Sequence, residues 1–260
     1  MAMASSANLD STLFNFRDFG GHRVKDGGHV VARSLYRSGN HARLGPAAVS
    51  VLLAFDFSLI IDLRYPDERT ADPSPWPGGW AGRLLAHEQA NGLKAPHLAI
   101  VQSAAVGEQA VHSAYRILYR ALPFDPTYRA LFADALRRSA VSSGRVLIHC
   151  TAGKDRTGLL VGLLLDLLGV PRDAIVNDYV RSSRSPALQA LRAGLAERLA
   201  GEGNDHPDAV AKALIGVQAD YLNAAFAAID DQFGSIEAYF SASGVNAATI
   251  ARLQDRFIVR

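Results

Sequence analysis

The stretch VLIHCTAGKDRTGLLVGLLLDLLG, from Val146 to Gly169, holds the single cysteine of a 260-residue chain. Together with Gly144 and Arg145 it divides into three parts. GRVLIHC is a short apolar run, read as a buried strand. CTAGKDR is a polar turn with a glycine inside it. Residues 157–168 are apolar almost all round, which describes a buried helix, and Gly169 and Pro171 close it. A strand that turns straight into a helix aims several backbone N–H groups at one point, and the helix start adds positive potential there. Such a nest binds an anion with three or four oxygens, phosphate above all.

Outward from this unit the chain alternates. Residues 29–39 are β-rich and end at a polar turn, residues 45–57 have helical spacing behind an early proline, and SLIIDLR (58–64) is a second buried strand. Four prolines between Pro66 and Pro77 predict no regular structure there. Helical periodicity returns over 112–121 and 125–142 and starts again after Pro171. From Ser185 to the C-terminus it persists, with breaks near 201–208 and at Gly244. Few strands alternating with many helices predict an α/β fold, a parallel-rich central sheet flanked by helices, with a helical C-terminal part. The length predicts one domain over residues 1–260.

Apolar residues make up 49% of the chain, ample for a sizeable core. A net charge of +2 without a long basic run argues against nucleic acid as a partner. One cysteine excludes an internal disulfide and a Cys/His zinc site. The opening MAMASSANLDSTLF lacks the layout of a cleaved signal peptide. The most apolar run, 159–170, carries Asp166 and falls short of the ~20 residues that a bilayer span needs. We expect no stable membrane insertion, and residence in the cytoplasm or export without a cleaved signal.

The chemistry centres on Cys150. A free thiol has a pKa of ~8.5 and is only slightly ionised near neutrality. Converging N–H groups, a helix start and a guanidinium all favour the thiolate. Gly153 lets the backbone turn tightly, and Arg156 offers a planar fork that grips two phosphate oxygens at once. Thr151, Ala152, Gly153, Lys154, Asp155 and Arg156 are therefore the expected phosphate-binding residues, above Cys150 as nucleophile. The plainer readings are a buried structural cysteine and a surface ion-pair arginine. A non-catalytic phosphate-binding module and a persulfide carrier are the rival functions, and sulfur transfer does not require Arg156 at this spacing.

HCTAGKDRTG resembles the H-C-x5-R-[S/T]-G signature of cysteine-dependent protein tyrosine phosphatases. More narrowly, the chain resembles the bacterial tyrosine/serine phosphatase family of the mycobacterial protein tyrosine phosphatase B type. Four further pieces follow in the family's order: NFRDFGG (15–21), LYRSGNHARL (35–44), IIDLRYPDER (60–69) and GSIEAYF (234–240). The resemblance implies a cysteine-phosphatase-like fold. It also implies hydrolysis of phosphotyrosine, extending to phosphoserine or phosphothreonine, through a phosphocysteine intermediate. No metal or cofactor is called for, because the cup itself neutralises the phosphate.

The leaving oxygen needs a proton. Asp62 ends a strand, where active groups of parallel sheets gather, and the resemblance points to the aspartate of the matching DLR segment as general acid. Its plainer reading is a strand-end aspartate paired with Arg64 or Arg37. Asp155, inside the turn, is the second candidate acid, against a loop-bracing role. Thr157 either hydrogen-bonds the sulfur or only starts the helix. His149 orients the turn and raises its positive potential, or is a satisfied core histidine. An exposed Lys154 on the lip would extend the charge beyond one phosphate. Loops reading GKDR resemble those of phosphatases that accept phosphoinositides, so a phosphoinositide phosphatase with the same mechanism is the alternative. Arg17, Arg37 and Ser38 are candidates for lining the pocket. Trp76 and Trp80 read as packing or as a hydrophobic lip. Residues 84–124 are expected to include a helical lid.

Overall fold

The computed structural model describes residues 13–88 and 107–260. In chain order these form β1 (Arg17–Asp18), β2 (His29–Val30), β3 (Leu35–Ser38), α1 (Pro46–Leu53), β4 (Phe57–Asp62), α2 (Pro66–Ala71), β5 (Leu84–Ala86), α3 (Glu108–Ala121), α4 (Pro126–Val141), β6 (Arg145–His149) and α5 (Asp155–Leu167). The helical remainder is α6 (Arg172–Val180), α7 (Pro186–Gly201), α8 (Pro207–Ile215), α9 (Ala219–Phe233), α10 (Ile236–Ser241) and α11 (Ala247–Phe257), and β7 (Ile258–Val259) ends it. The five-stranded sheet has the order β1-β3-β6-β4-β5, parallel except for β1. It is the expected α/β architecture, a mostly parallel sheet flanked by helices.

The middles of β4 and β6 are apolar because helices cover both faces. Side chains alternate across the sheet. Val146 and Ile148 of β6, with Leu59 and Ile61 of β4, join the larger core under α4 and α5. Leu147 and Ile60 turn to the opposite face, where Phe16, Tyr36, Leu52 and Phe57 pack. α5 is buried from Arg156 through Leu165, so the helix behind Cys150 is rigidly mounted. Three strands end level: Ser38 and Asp62 both lie opposite His149 in register. The residues that follow them gather at one edge, the carboxyl end of a parallel sheet.

Two segments depart from the sequence reading. The proline-rich stretch is not irregular throughout: Pro66 starts the short helix α2, and the Glu68 side chain accepts from the Tyr65 N–H at 2.8 Å. Proline is barred from helix interiors but favoured at the first helical position, where its missing N–H costs nothing. The β-rich run 29–39 is split between two sheets, β2 pairing with β7 and β3 with β1 and β6. Of the expected lid segment, residues 84–86 form the edge strand β5, and α3 packs with Tyr115 and Tyr119 buried. Residues 89–106 of that expectation lie outside the described residues. Among the described residues, no helix is long and apolar enough to cross a membrane.

Candidate active site

Cys150 follows β6 directly and is 2% exposed. The loop after it is held from behind by its carbonyls. Gly153 O accepts from Asn15 Nδ2 at 2.6 Å and Arg37 Nη2 at 2.9 Å, and Thr151 O accepts from the Asn40 N–H at 2.9 Å. Gly153 has φ +68°, and a Cβ there would collide with the backbone of Ser38 and Gly39. Only glycine accepts that conformation and that approach cheaply. Among the described residues, no protein group accepts from the backbone N–H groups of Thr151 to Arg156. The carbonyls are thus committed outward while a run of donors beside Cys150 stays open, at the N-terminus of α5.

The support behind the loop is ionic. Asp178, on α6, pairs with Arg17 at 3.1 Å and with Arg37 at 3.3 Å. Burial alone would raise the Asp178 carboxyl; the two arginines outweigh it and hold the group below its ordinary value. Burial and the neighbouring Arg17 draw Arg37 down to about 10, so it remains charged at neutral pH. Arg17 and Arg37 therefore act on the back of the loop. Ser38 is buried, its hydroxyl 3.0 Å from His41 Nε2.

Arg156 is 7% exposed and held at its terminal nitrogens. Nη1 donates to Glu68 Oε2 (2.5 Å) and Leu63 O (3.2 Å), and Nη2 to Glu68 Oε1 (2.8 Å). Burial would raise the Glu68 carboxyl, yet the Arg156 and Thr151 bonds pull it down to about 2. Thr157 is fully buried, and among the described residues its hydroxyl has no partner.

The two candidate acids are placed differently. Asp62 is 1% exposed and takes the Arg64 guanidinium at 2.7 and 2.9 Å. Against the burial that would raise it, His149 and Arg64 hold its carboxyl below the usual range. A sealed, ionised carboxylate is a bracing group and a poor proton donor. Asp155 opens α5 with its side chain 14% exposed, accepts from the Tyr119 hydroxyl at 3.0 Å and lies 3.6 Å from Lys154 Nζ.

Two expectations about charge are corrected. Lys154 is not an exposed lysine on a lip. It is 5% exposed, and its ammonium donates to Leu214 O at 2.6 Å and to the Tyr115 hydroxyl at 3.2 Å. The carbonyls at the end of α8 satisfy the charge inside the protein. His149 adds no positive charge at neutral pH, since burial lowers its pKa to about 4. Asp62 Oδ2, at 3.6 Å, is too far to hydrogen-bond it. Trp76 and Trp80 stack on one another at 5.8 Å, with His41 4.7 Å from Trp76, so they act as packing beside His149. Two cavities, one of about 250 Å³ beside Gly216 and one of about 630 Å³ beside β5, are lined by residues other than the Cys150 loop.

The sequence pattern does not single out Glu68, the ion-pair partner of Arg156, because it sits among prolines. A proline at a helix start with a glutamate two residues on, straight after a strand end, is the local signal that could have found it.

The model of the tyrosine phosphatase family matches residues 9–259. A Cupriavidus necator protein assigned as a tyrosine-protein phosphatase is 34% identical over 88% of this chain and 80% of its own length. The triple specificity protein phosphatase PtpB of Mycobacterium tuberculosis is 31% identical, over 94% of this chain and 87% of that protein. A tyrosine-protein phosphatase of Nostoc commune is 31% identical over 87% and 75%.

Proposed function

The chain belongs to the tyrosine phosphatase family and is a phosphoric monoester hydrolase, and on that premise we propose that it cleaves phosphotyrosine through a phosphocysteine intermediate. Phosphoserine and phosphothreonine peptides are further substrates in this reading, in line with the triple specificity named for the mycobacterial relative. The observation that carries it is the loop at residues 151–156: carbonyls tied back by Asn15, Arg37 and Asn40, donors left open, and the only cysteine directly before them.

The Cys150 sulfur attacks phosphorus, forming an S–P bond as the P–O bond to the leaving group breaks. The leaving oxygen takes a proton from the Asp155 carboxyl, and the open N–H groups with Arg156 neutralise the equatorial oxygens. Water, deprotonated by the Asp155 carboxylate, then attacks phosphorus. The S–P bond breaks and returns the thiolate and inorganic phosphate. Asp155 is preferred to Asp62 as the acid because its side chain reaches solvent and Asp62 is sealed against Arg64.

The phosphoinositide reading rests on Lys154, whose ammonium is spent on Leu214 and Tyr115, so a protein substrate is preferred. Phosphate release from phosphotyrosine, phosphoserine and phosphothreonine peptides and from phosphoinositide vesicles tests this. Turnover on the lipids at higher kcat/KM than on every peptide would reverse the preference. Binding of phosphopeptide without phosphate release would replace the enzyme by a binding module.

A further inference from the structure

In the reading above Asp155 first protonates the leaving oxygen and then deprotonates water, and both tasks need a carboxyl held in one orientation. Asp155 opens α5, and its two oxygens are placed differently. Oδ1 accepts from the Tyr119 hydroxyl at 3.0 Å. Among the described residues, Oδ2 accepts no hydrogen bond; Lys154 Nζ, at 3.6 Å, is beyond hydrogen-bond reach.

Behind Tyr119 stands a second hydroxyl. Tyr179 Oη lies 2.6 Å from Tyr119 Oη. Tyr119 comes from α3 and Tyr179 from α6, and both are buried. The neighbouring Tyr115 hydroxyl, by contrast, goes to a backbone carbonyl, Leu214 O, at 2.8 Å. A tyrosine hydroxyl has one proton to give. With the Tyr119 proton given to Asp155, Tyr119 accepts from Tyr179, and the two make a file of donors that ends on the carboxylate. Helix α5 leaves room for it, since a Cβ on Gly158 would lie 2.8 Å from the Tyr179 ring. Burial, and after it the Asp155 charge, raises both phenols well above their ordinary value, so they stay neutral donors and do not compete as acids.

We infer that Tyr119, backed by Tyr179, is a positioning residue for the general acid: the pair fixes Oδ1 of Asp155 and leaves Oδ2 to carry the proton that passes to the leaving oxygen and is regained from water. The inference rests on the phosphatase reading and on Asp155 as its acid. A proton on Oδ1 would lie between Asp155 and Tyr119, where no substrate reaches it. The contrary role, a carboxylate that merely satisfies a buried hydroxyl, makes no distinction between leaving groups.

The test measures kcat/KM of the full chain on p-nitrophenyl phosphate and on phenyl phosphate, whose poorer leaving group needs more protonation, with inhibition by inorganic phosphate alongside. It compares wild type, Tyr119→Phe, Tyr179→Phe, the two combined, Asp155→Asn, and Tyr119→Phe with Asp155→Asn, each checked for folding by its thermal midpoint. Tyr119→Phe is expected to lower kcat/KM about tenfold on phenyl phosphate and less than about threefold on p-nitrophenyl phosphate, with phosphate inhibition unchanged. Tyr179→Phe gives the same pattern at about threefold, and the combined variant loses no more than Tyr119→Phe alone, because residues that act through one another are not additive. In the Asp155→Asn background Tyr119→Phe costs less than about twofold, for the same reason. If Tyr119→Phe does not fold, the two substrates decide through Tyr179→Phe. Equal losses on both substrates, or an undiminished loss in the Asp155→Asn background, mean a general structural role and overturn the inference, as does unchanged kcat/KM. If Asp155→Asn itself costs the same on both substrates, the assignment of the acid falls first; if wild type releases no phosphate, the phosphatase reading falls first. Either takes the inference with it.

Discussion

At the carboxyl end of β4 stand two arginine–carboxylate pairs, Arg64 with Asp62 and Arg156 with Glu68. In the first, every guanidinium nitrogen has an acceptor. Nε and Nη2 bind Asp62, Nη2 also reaches Ser74 Oγ at 2.8 Å, and Nη1 reaches Asp72 O at 2.7 Å. Both members are 1% exposed. The second pair is more open, 9% and 17% exposed at the side chains, and among the described residues it leaves Nε free beside a run of unpaired N–H groups. A buried charge pair with nothing left over fastens a fold. The same pair with one donor edge spare, next to an anion nest, is equipped to bind.

The largest expected effect lies on the open side. Cys150→Ser should lower kcat on a phosphotyrosine peptide by about 10⁴-fold or more while the chain stays folded, because no other group in the loop supplies a nucleophile. Retained turnover would erase the distinction between the two pairs. Asp155→Asn should lower kcat by roughly 10²–10⁴-fold on alkyl phosphates and much less on p-nitrophenyl phosphate, whose leaving group needs little protonation. The same loss on both substrates would remove Asp155 from the proton path.

On the closed side the readout is stability. Asp62→Ala strands the Arg64 charge in the core and should cost about 3–5 kcal/mol in urea unfolding, while the folded enzyme keeps the acid limb of its pH profile. A stable variant that loses the acid limb would return the general acid to Asp62. Lys154→Met removes the charged donor from Leu214 O, which keeps the Tyr115 hydroxyl, and should cost about 1–3 kcal/mol, lowering turnover on peptides and lipids in equal proportion. A selective loss on phosphoinositides would instead bring Lys154 back to the ligand.

The smallest effect is graded with pH. His149 has its folded pKa lowered to about 4, so the unfolded chain takes up a proton that the fold refuses. Stability is therefore expected to start falling below about pH 6.5, the ordinary histidine value. A second decline belongs to Glu68, whose folded pKa is about 2. Its contribution is complete above its ordinary pKa of about 4.3 and is lost as pH falls from there through the folded value. Thermal midpoints between pH 7.5 and 3 check both stages. A midpoint unchanged down to pH 5 would show His149 to be far less sealed than its burial implies.

Much of this was legible beforehand where the determinants are local. The strands β4 and β6, the helices α4 and α5 and the loop between Cys150 and Arg156 follow from runs of apolar residues and from turn chemistry, and they appear within a few residues of expectation. Where partners are distant, legibility stopped. Lys154 reads as a solvated lip residue until the end of α8, sixty residues on, offers it a carbonyl. Asp62 reads first as the acid, with a brace against Arg64 or Arg37 as the plainer reading, until Arg64 is seen closing around it.

Sequence alone settled that a lone sulfur and a guanidinium share one short strand–turn–helix, because backbone geometry over six residues leaves little choice. Tertiary packing alone decided which way each charge faces. Glu68 meets Arg156 across 88 positions, and Arg37 meets Asp178 across 141. A desolvated charge goes to whichever counter-charge or dipole the fold brings within reach, and no local pattern encodes that proximity.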